Sequence, residues 1–183
     1  MTITTSISQL LRDPKKRFTQ VEMKFFKMWW DEQTEKTRNV VRGLVSNGQL
    51  ELVNGGWSMH DEACPAFDDF IENMMFGHNF IFDNFGVKPR IGWQIDPFGH
   101  SSANARLFAE MGFDALFFSR LDYKDKEKRM NNLEMEWVWR PNSNTLGNKV
   151  QIFTHATQHH YSAPPGFDFE IHGDNWINDK TDK

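Results

Sequence analysis

The chain has 183 residues, 39% hydrophobic and 14% aromatic, which supplies a sizeable core and excludes a disordered tail. Its 21 basic and 25 acidic residues leave a formal net charge of -4, so no global field draws it to nucleic acid or to an anionic membrane. A single cysteine, Cys64, excludes an internal disulfide and cysteine-rich zinc frameworks; a metal here would need histidine and carboxylate ligands.

Residues 1–18 lack a basic segment followed by a long apolar one, and no run of about 18 apolar residues occurs, so the sequence reads as soluble and untargeted. "FTQVEM" (18–23) is a short strand. The helical stretch after it presents Phe25, Met28, Trp29, Val40, Val41 and Leu44 as its apolar face and stops at Gly48. "QLELVNGGW" (49–57) is a second strand, and 64–86 a long amphipathic helix with Pro65 in its first turn. "PRIGWQID" (89–96), "SANARLFAEMG" (102–112) and "DALFFSRLDY" (114–123) read as strand, helix and strand. Beyond residue 124 a charged helix or loop leads to the strands "MEWVWR" and "KVQIFTHA", joined by the turn-rich "PNSNTLGN". Residues 170–183 form a polar tail. The alternation predicts an α/β fold of mostly parallel strands covered by helices.

Chemistry in such folds collects at the carboxyl ends of strands. Those ends carry Glu22, "GGWSMHDEA", "DPFGHS", "SRLDY" and "HATQHHYSAPPG". Glu22 suits a helix N-terminus, Asp61 and Glu62 suit capping, and His60 and His78 suit surface or packing positions. His155 and His159 have the i, i+4 spacing of a helical metal pair, but their stretch reads as strand, which makes them a decoy. Arg120 follows an apolar strand and, if turned inward, needs a carboxylate or a sugar hydroxyl as partner. Asp96 precedes Pro97, so it either caps a turn before a helix begun by Ser101 or Ser102, or is a carboxylate fixed at a strand tip.

The segments "VEMKFFKMWWDEQ", "LELVNGGWSMHDEA", "WQIDPFGHS", "FAEMGFDALFFSRLDY" and "MEWVWRP…IFTHA" carry a resemblance. In order and approximate spacing they resemble the class II α-mannosidases of glycoside hydrolase family 38, the lysosomal type most of all, from Arg17 to Phe169. The resemblance implies residues 1–183 as part of a catalytic domain built on a seven-stranded β/α barrel, retaining hydrolysis of α-mannosides in glycans, and a zinc cofactor. It implies Asp96 as nucleophile and zinc ligand, and Phe98, Arg120 and Tyr161 as substrate-binding residues, with His100 and Ser101 supporting the turn. It also implies an acidic organelle, lysosome or vacuole, or the secretory pathway.

The family's other zinc ligands and its acid/base aspartate find no match between Met1 and Lys183, and loss of a positioned acid alone removes about 10²- to 10⁴-fold in rate. The isolated chain is therefore expected to lack turnover and to associate with the remainder of the same enzyme through unpaired strands. Two other readings remain: a truncated mannose-binding or assembly module, and a different metal-dependent hydrolase such as a polysaccharide deacetylase.

Overall fold

A computed structural model describes residues 2–158 and 160–162. Its elements run α1 (Thr2–Arg12), β1 (Phe18–Gln20), α2 (Met23–Asp31), α3 (Glu35–Ser46), β2 (Leu50–Leu52), α4 (Phe67–Phe85) and β3 (Ile91–Gln94). There follow α5 (Ser102–Glu110), β4 (Ala115–Phe118), α6 (Tyr123–Asn132), β5 (Glu136–Trp139), α7 (Ser143–Leu146) and β6 (Ile152–Ala156). The polar tail at 170–183 lies outside the described residues.

Among the described residues the strands form two sheets rather than a closed barrel. β1 and β2 pair in parallel, and the second sheet runs β3-β4-β6-β5. The pairs β3·β4 and β4·β6 are parallel, as the alternation predicts, but β5 lies antiparallel on the outer side of β6. Asn54 joins the two sheets. Its N–H donates to the Ile91 carbonyl at 2.7 Å, and its side-chain oxygen accepts from the Trp93 N–H at 3.1 Å.

The single helix anticipated after the first strand is two helices. Thr34 interrupts it: its side-chain oxygen accepts from the Thr37 N–H and starts α3 anew. The break changes the buried face. Met23, Phe26, Trp29 and Trp30 are buried on α2, whereas Phe25 and Met28 are 60% and 56% exposed. Val41 and Leu44 are buried as expected; Val40 is exposed. Gly48 ends the segment at φ 75°, its N–H on the Val45 carbonyl. Pro65 lies ahead of α4 rather than in its first turn, where Asp68 and Asp69 face the positive end of the helix dipole.

α1, which carries no strong signal of its own, forms because Ile7 and Leu10 bury against the same aromatic cluster. That cluster holds Phe26, Trp29, Trp30, Leu50, Leu52, Phe80 and Ile81. A second core lies where α4 and α5 meet the larger sheet: Phe70, Met74, Phe108, Leu116, Phe118 and Ile152. The connector 141–148 includes the short α7, and α6 is a solvated helix capped by Asp122, which accepts from Lys124 and Asp125 N–H.

Candidate functional site

In-register parallel pairing places the site. Gln94 sits opposite Phe118, and Phe118 opposite Ala156, so these three strands end at one level. Asp96 and Arg120 each follow two residues later, which brings them side by side beyond adjacent strands. In the smaller sheet Gln20 sits opposite Leu52, and Glu22 and Asn54 follow by the same count.

Arg120 grips Asp96 twice through its side chain. Nη2 donates to Asp96 Oδ1 at 2.8 Å and Nε donates to the same oxygen at 3.1 Å, while Nε also reaches the Asp96 carbonyl at 3.0 Å. The hydrogen bond to Asp96 is the main cause that raises the Arg120 pKa above its ordinary value. The Asp96 carboxyl group stays half exposed, and among the described residues no hydrogen bond falls on its Oδ2. The Asp96 side chain therefore does not cap the turn. Ser101 does the capping, its hydroxyl accepting from the Ala103 N–H at 3.1 Å.

Phe98 and Tyr161 complete the group. The Arg120 guanidinium lies 4.4 Å from the Phe98 ring centroid and 5.8 Å from that of Tyr161, and Nη2 donates to the Tyr161 hydroxyl at 3.3 Å. All four expected site residues thus meet around one guanidinium. Two concavities flank them. One of about 280 Å³ is lined by Glu22, Met59, His60, Asp61, Asp96 and Phe98. The other, of about 480 Å³, runs past Phe98, His100, Arg120, Asp122 and Trp139.

The remaining polar residues separate by role. Glu22 has a left-handed backbone, φ 55°, and its carboxylate accepts from the Met59 N–H at 3.2 Å rather than capping α2. Asp61 closes a turn by accepting from Ala63 and Cys64 N–H at 2.7 and 3.0 Å; these bonds hold its pKa below the ordinary carboxylate value, which makes it a poor proton donor. His60 and His78 are packing residues. Burial pushes both imidazoles below their ordinary pKa, against the pull of Asn104 on His60 and of the Asn54 carbonyl on His78. His155 lies in β6 opposite Glu136, whose Oε1 is 2.7 Å from its Nδ1, so it belongs to a strand; His159 lies outside the described residues.

Sequence reasoning missed Glu62. Read as a capping residue, it is a buried carboxylate whose side chain is 2% exposed, and it reaches across to the 95–101 loop. The acid pair after an imidazole in "HDEA" was the available signal; neighbouring positions gave no sign that only the second acid turns inward. His100 does support the turn, its Nε2–H donating to the Arg120 carbonyl at 2.8 Å while its ring stacks on Phe118 at 3.9 Å.

For zinc, the donor chemistry of the described residues is incomplete. Asp96 offers a carboxylate oxygen, but no group of three or more His, Cys, Asp or Glu side chains converges to hold a metal among the described residues. They do not by themselves fit a tetrahedral zinc site. No helix among the described residues is long and apolar enough to cross a membrane.

The family described as glycosyl hydrolases family 38 N-terminal domain matches residues 1–182. The chain is 49% identical over 178 residues to a lysosomal alpha-mannosidase of Dictyostelium discoideum, covering 97% of this chain and 17% of that protein. It is 49% identical over 166 residues to an alpha-mannosidase of Canavalia ensiformis, with 90% and 17% covered. With the lysosomal alpha-mannosidase of Homo sapiens it shares 47% identity over 167 residues, with 90% and 16% covered. The chain thus spans 16–17% of the length of these relatives. Among solved structures, an alpha-mannosidase from Enterococcus faecalis V583 superposes with a TM-score of 0.66 at 15% identity, over 87% of this chain and 17% of that one. A 4-alpha-glucanotransferase from Thermococcus litoralis gives 0.65 at 14% identity, over 83% and 23%. At such identities these two speak to the fold alone.

Proposed function

The chain belongs to glycoside hydrolase family 38, and on that premise we propose that it is the segment of an α-mannosidase catalytic domain that carries the nucleophile, Asp96. The observation that supports this most is the geometry at the strand tips. Asp96 Oδ1 is held by two guanidinium bonds, and no described residue bonds to Oδ2. A carboxylate gripped on one oxygen keeps its orientation and leaves the other available, and Asp96 lines the cavity of about 280 Å³. The aromatic Phe98 beside it suits the apolar face of a pyranose.

In the retaining reaction, a carboxylate oxygen of Asp96 attacks the anomeric carbon as the bond to the leaving oxygen breaks, through an oxocarbenium-like transition state. A carboxylic acid about 5 Å away gives the leaving oxygen its proton, and later takes one from the water that cleaves the glycosyl ester. Asp61 does not suit that role, because its backbone bonds favour the ionised form. Arg120 holds Asp96 oriented and opposes its charge, Phe98 supports the ring, and Tyr161, whose hydroxyl accepts from Arg120, would bind a sugar hydroxyl.

Zinc dependence is general to family 38 α-mannosidases; here Asp96 would contribute one ligand. When bound, zinc would orient and polarise the mannose hydroxyls. The domain reading is 1–183 as part of a seven-stranded β/α barrel, the substrates mannose-containing glycans, and the compartment the lysosome or vacuole, or the secretory pathway, the lysosome being named for two of the relatives.

The test uses the polypeptide that carries these 183 residues, whatever its full extent. With an aryl α-mannoside, Asp96→Asn lowers kcat/KM by about 10³-fold or more, and a 2-fluoro-mannosyl fluoride labels the Asp96 peptide in mass spectrometry. A label on another residue, or turnover unchanged in Asp96→Asn, would refute the proposal.

A further inference from the structure

Behind Asp96 lies a continuous polar relay that begins on a different strand-end loop. Glu62, 2% exposed at its side chain, accepts from the Ser101 N–H through Oε2 at 2.5 Å and from Asn104 Nδ2 through Oε1 at 2.5 Å. The same Oε1 lies 3.4 Å from His100 Nδ1, which donates to it only when the ring carries a proton on both nitrogens. His100 Nε2–H then donates to the Arg120 carbonyl, and the Arg120 side chain grips Asp96. On the far side, Asn104 Oδ1 accepts from His60 Nε2 at 3.0 Å, and Gln94, the last residue of β3, packs its amide 2.8 Å from that nitrogen.

The arrangement is more than is needed to start a helix. Ser101 caps α5 through its hydroxyl and Glu62 satisfies the Ser101 N–H, which is the share a helix start needs; the further bond to Asn104 and the approach to His100 go beyond it. Burying a carboxylate is costly unless its oxygens are satisfied, and here the donors that satisfy it all sit at the end of the "DPFGHSSAN" segment. Asp96 and Arg120 follow different strands, and the loop between Asp96 and Ser101 has an exposed aromatic and a glycine. Without a tie at its far end that loop has little to define its path, whereas the Asp96–Arg120 geometry requires the path to be fixed.

We propose that Glu62 is a positioning residue for Asp96: it pins residues 100–104 and, through His100, holds the Arg120 backbone at a set distance from the nucleophile. This rests on the reading of Asp96 as nucleophile, but the tie itself can be tested without sugar or metal. Its outcome therefore stands apart from that of the mannosidase assay.

The experiment follows hydrogen exchange of the Arg120 Nε–H by NMR in the ¹⁵N-labelled polypeptide that carries these 183 residues, whatever its full extent, with thermal unfolding in parallel. Glu62→Gln keeps the shape but turns one acceptor into a donor facing Asn104. Its Arg120 Nε–H is expected to exchange about tenfold faster or more, from the loss of one charge-assisted bond, while resonances of β1, β2 and α3 stay in place. Adding Asn104→Asp restores an amide–carboxylate contact with the roles reversed, and is expected to return exchange to within about threefold of the parent.

His100→Phe keeps the ring on Phe118 and removes both ring nitrogens. It should speed exchange as Glu62→Gln does. If Glu62→Gln does not fold, Glu62→Asp, which keeps the charge but draws it back from Ser101 and Asn104, takes its place, faster exchange supporting the proposal and exchange within about twofold of the parent overturning it. Exchange within about twofold of the parent in folded Glu62→Gln or in His100→Phe, or no rescue by Asn104→Asp, overturns the proposal.

Discussion

Gly77 sits in the middle of α4 where the helix crosses the glycine pair, Gly55 and Gly56, that follows β2. A Cβ built at this position would lie 1.9 Å from the Gly55 carbonyl oxygen and 2.7 Å from the Gly56 carbonyl carbon. Ordinary contact begins at 3.4 Å, so Gly77→Ala requires about 1.5 Å of separation between two pieces of backbone, neither of which has a side chain to rotate away. The 55–57 segment cannot yield without loss. It receives the Met23 N–H on the Gly56 carbonyl and sends the Trp57 N–H to the Asn73 carbonyl. Overpacking of about 3 kcal/mol plus about 1 kcal/mol for a lost hydrogen bond, less about 1 kcal/mol that alanine gains over glycine in a helix, leaves a net cost of about 3 kcal/mol. For a chain of this length that is a fall in Tm of about 6–12 °C. The measurement is thermal unfolding by circular dichroism, with Gly43→Ala as the internal comparison. Gly43 lies in α3 with nothing within 4 Å of the added methyl, so alanine there should be neutral or raise Tm. If Gly77→Ala unfolds within about 2 °C of the parent, or falls no further than Gly43→Ala, the close crossing of α4 over 55–56 is wrong.

Asn54, at φ 57°, both adopts a left-handed backbone and binds the Trp93 N–H, so the two contributions can be separated. Asn54→Gly should cost about 1–3 kcal/mol from the unpaired N–H, and Asn54→Ala about 1 kcal/mol more from strain; equal urea midpoints for the two variants would refute the strain. Burial lowers the folded-state pKa of His60 and His78 from 6.5. As pH falls through 6.5 the unfolded chain takes up these protons first, so stability is full above that value and declines below it. Urea midpoints between about pH 7 and pH 5 should fall steadily, and a midpoint that is flat or rises over that range contradicts the neutral buried imidazoles.

How much of this was legible beforehand depends on the distance over which each feature is decided. The strands within 89–96 and 114–123, which in fact end at Gln94 and Phe118, the stops at Gly48 and Gly112, and a helix start at Ser101 or Ser102 follow from residues within a turn or two of themselves. Arg120 was legible as an inward arginine in need of a partner, because a guanidinium after a buried strand has few alternatives. The buried face of α2 was not legible. Phe25 and Phe26 are equal by hydropathy, and only the docking of α4 and α1 selects Phe26. Nor could the break at Thr34 be weighed against a continuous helix without knowing that α3 must turn Val41 and Leu44 toward the same core.

The sequence by itself determined most of the elements, the family, and Asp96, Phe98 and Arg120 as the residues to watch, since each of these three is carried by a contiguous motif, with Tyr161 added by the resemblance across a variable loop. Tertiary structure alone decided that they meet. Asp96 and Arg120 are brought level by the register of β3 on β4, a property of two strands and of neither one. It also decided that β5 runs against its neighbours at the sheet edge, and that Glu62 rather than Asp61 turns inward. Burial and pairing are contacts between distant segments, and their free energy belongs to the assembled core rather than to any stretch of chain.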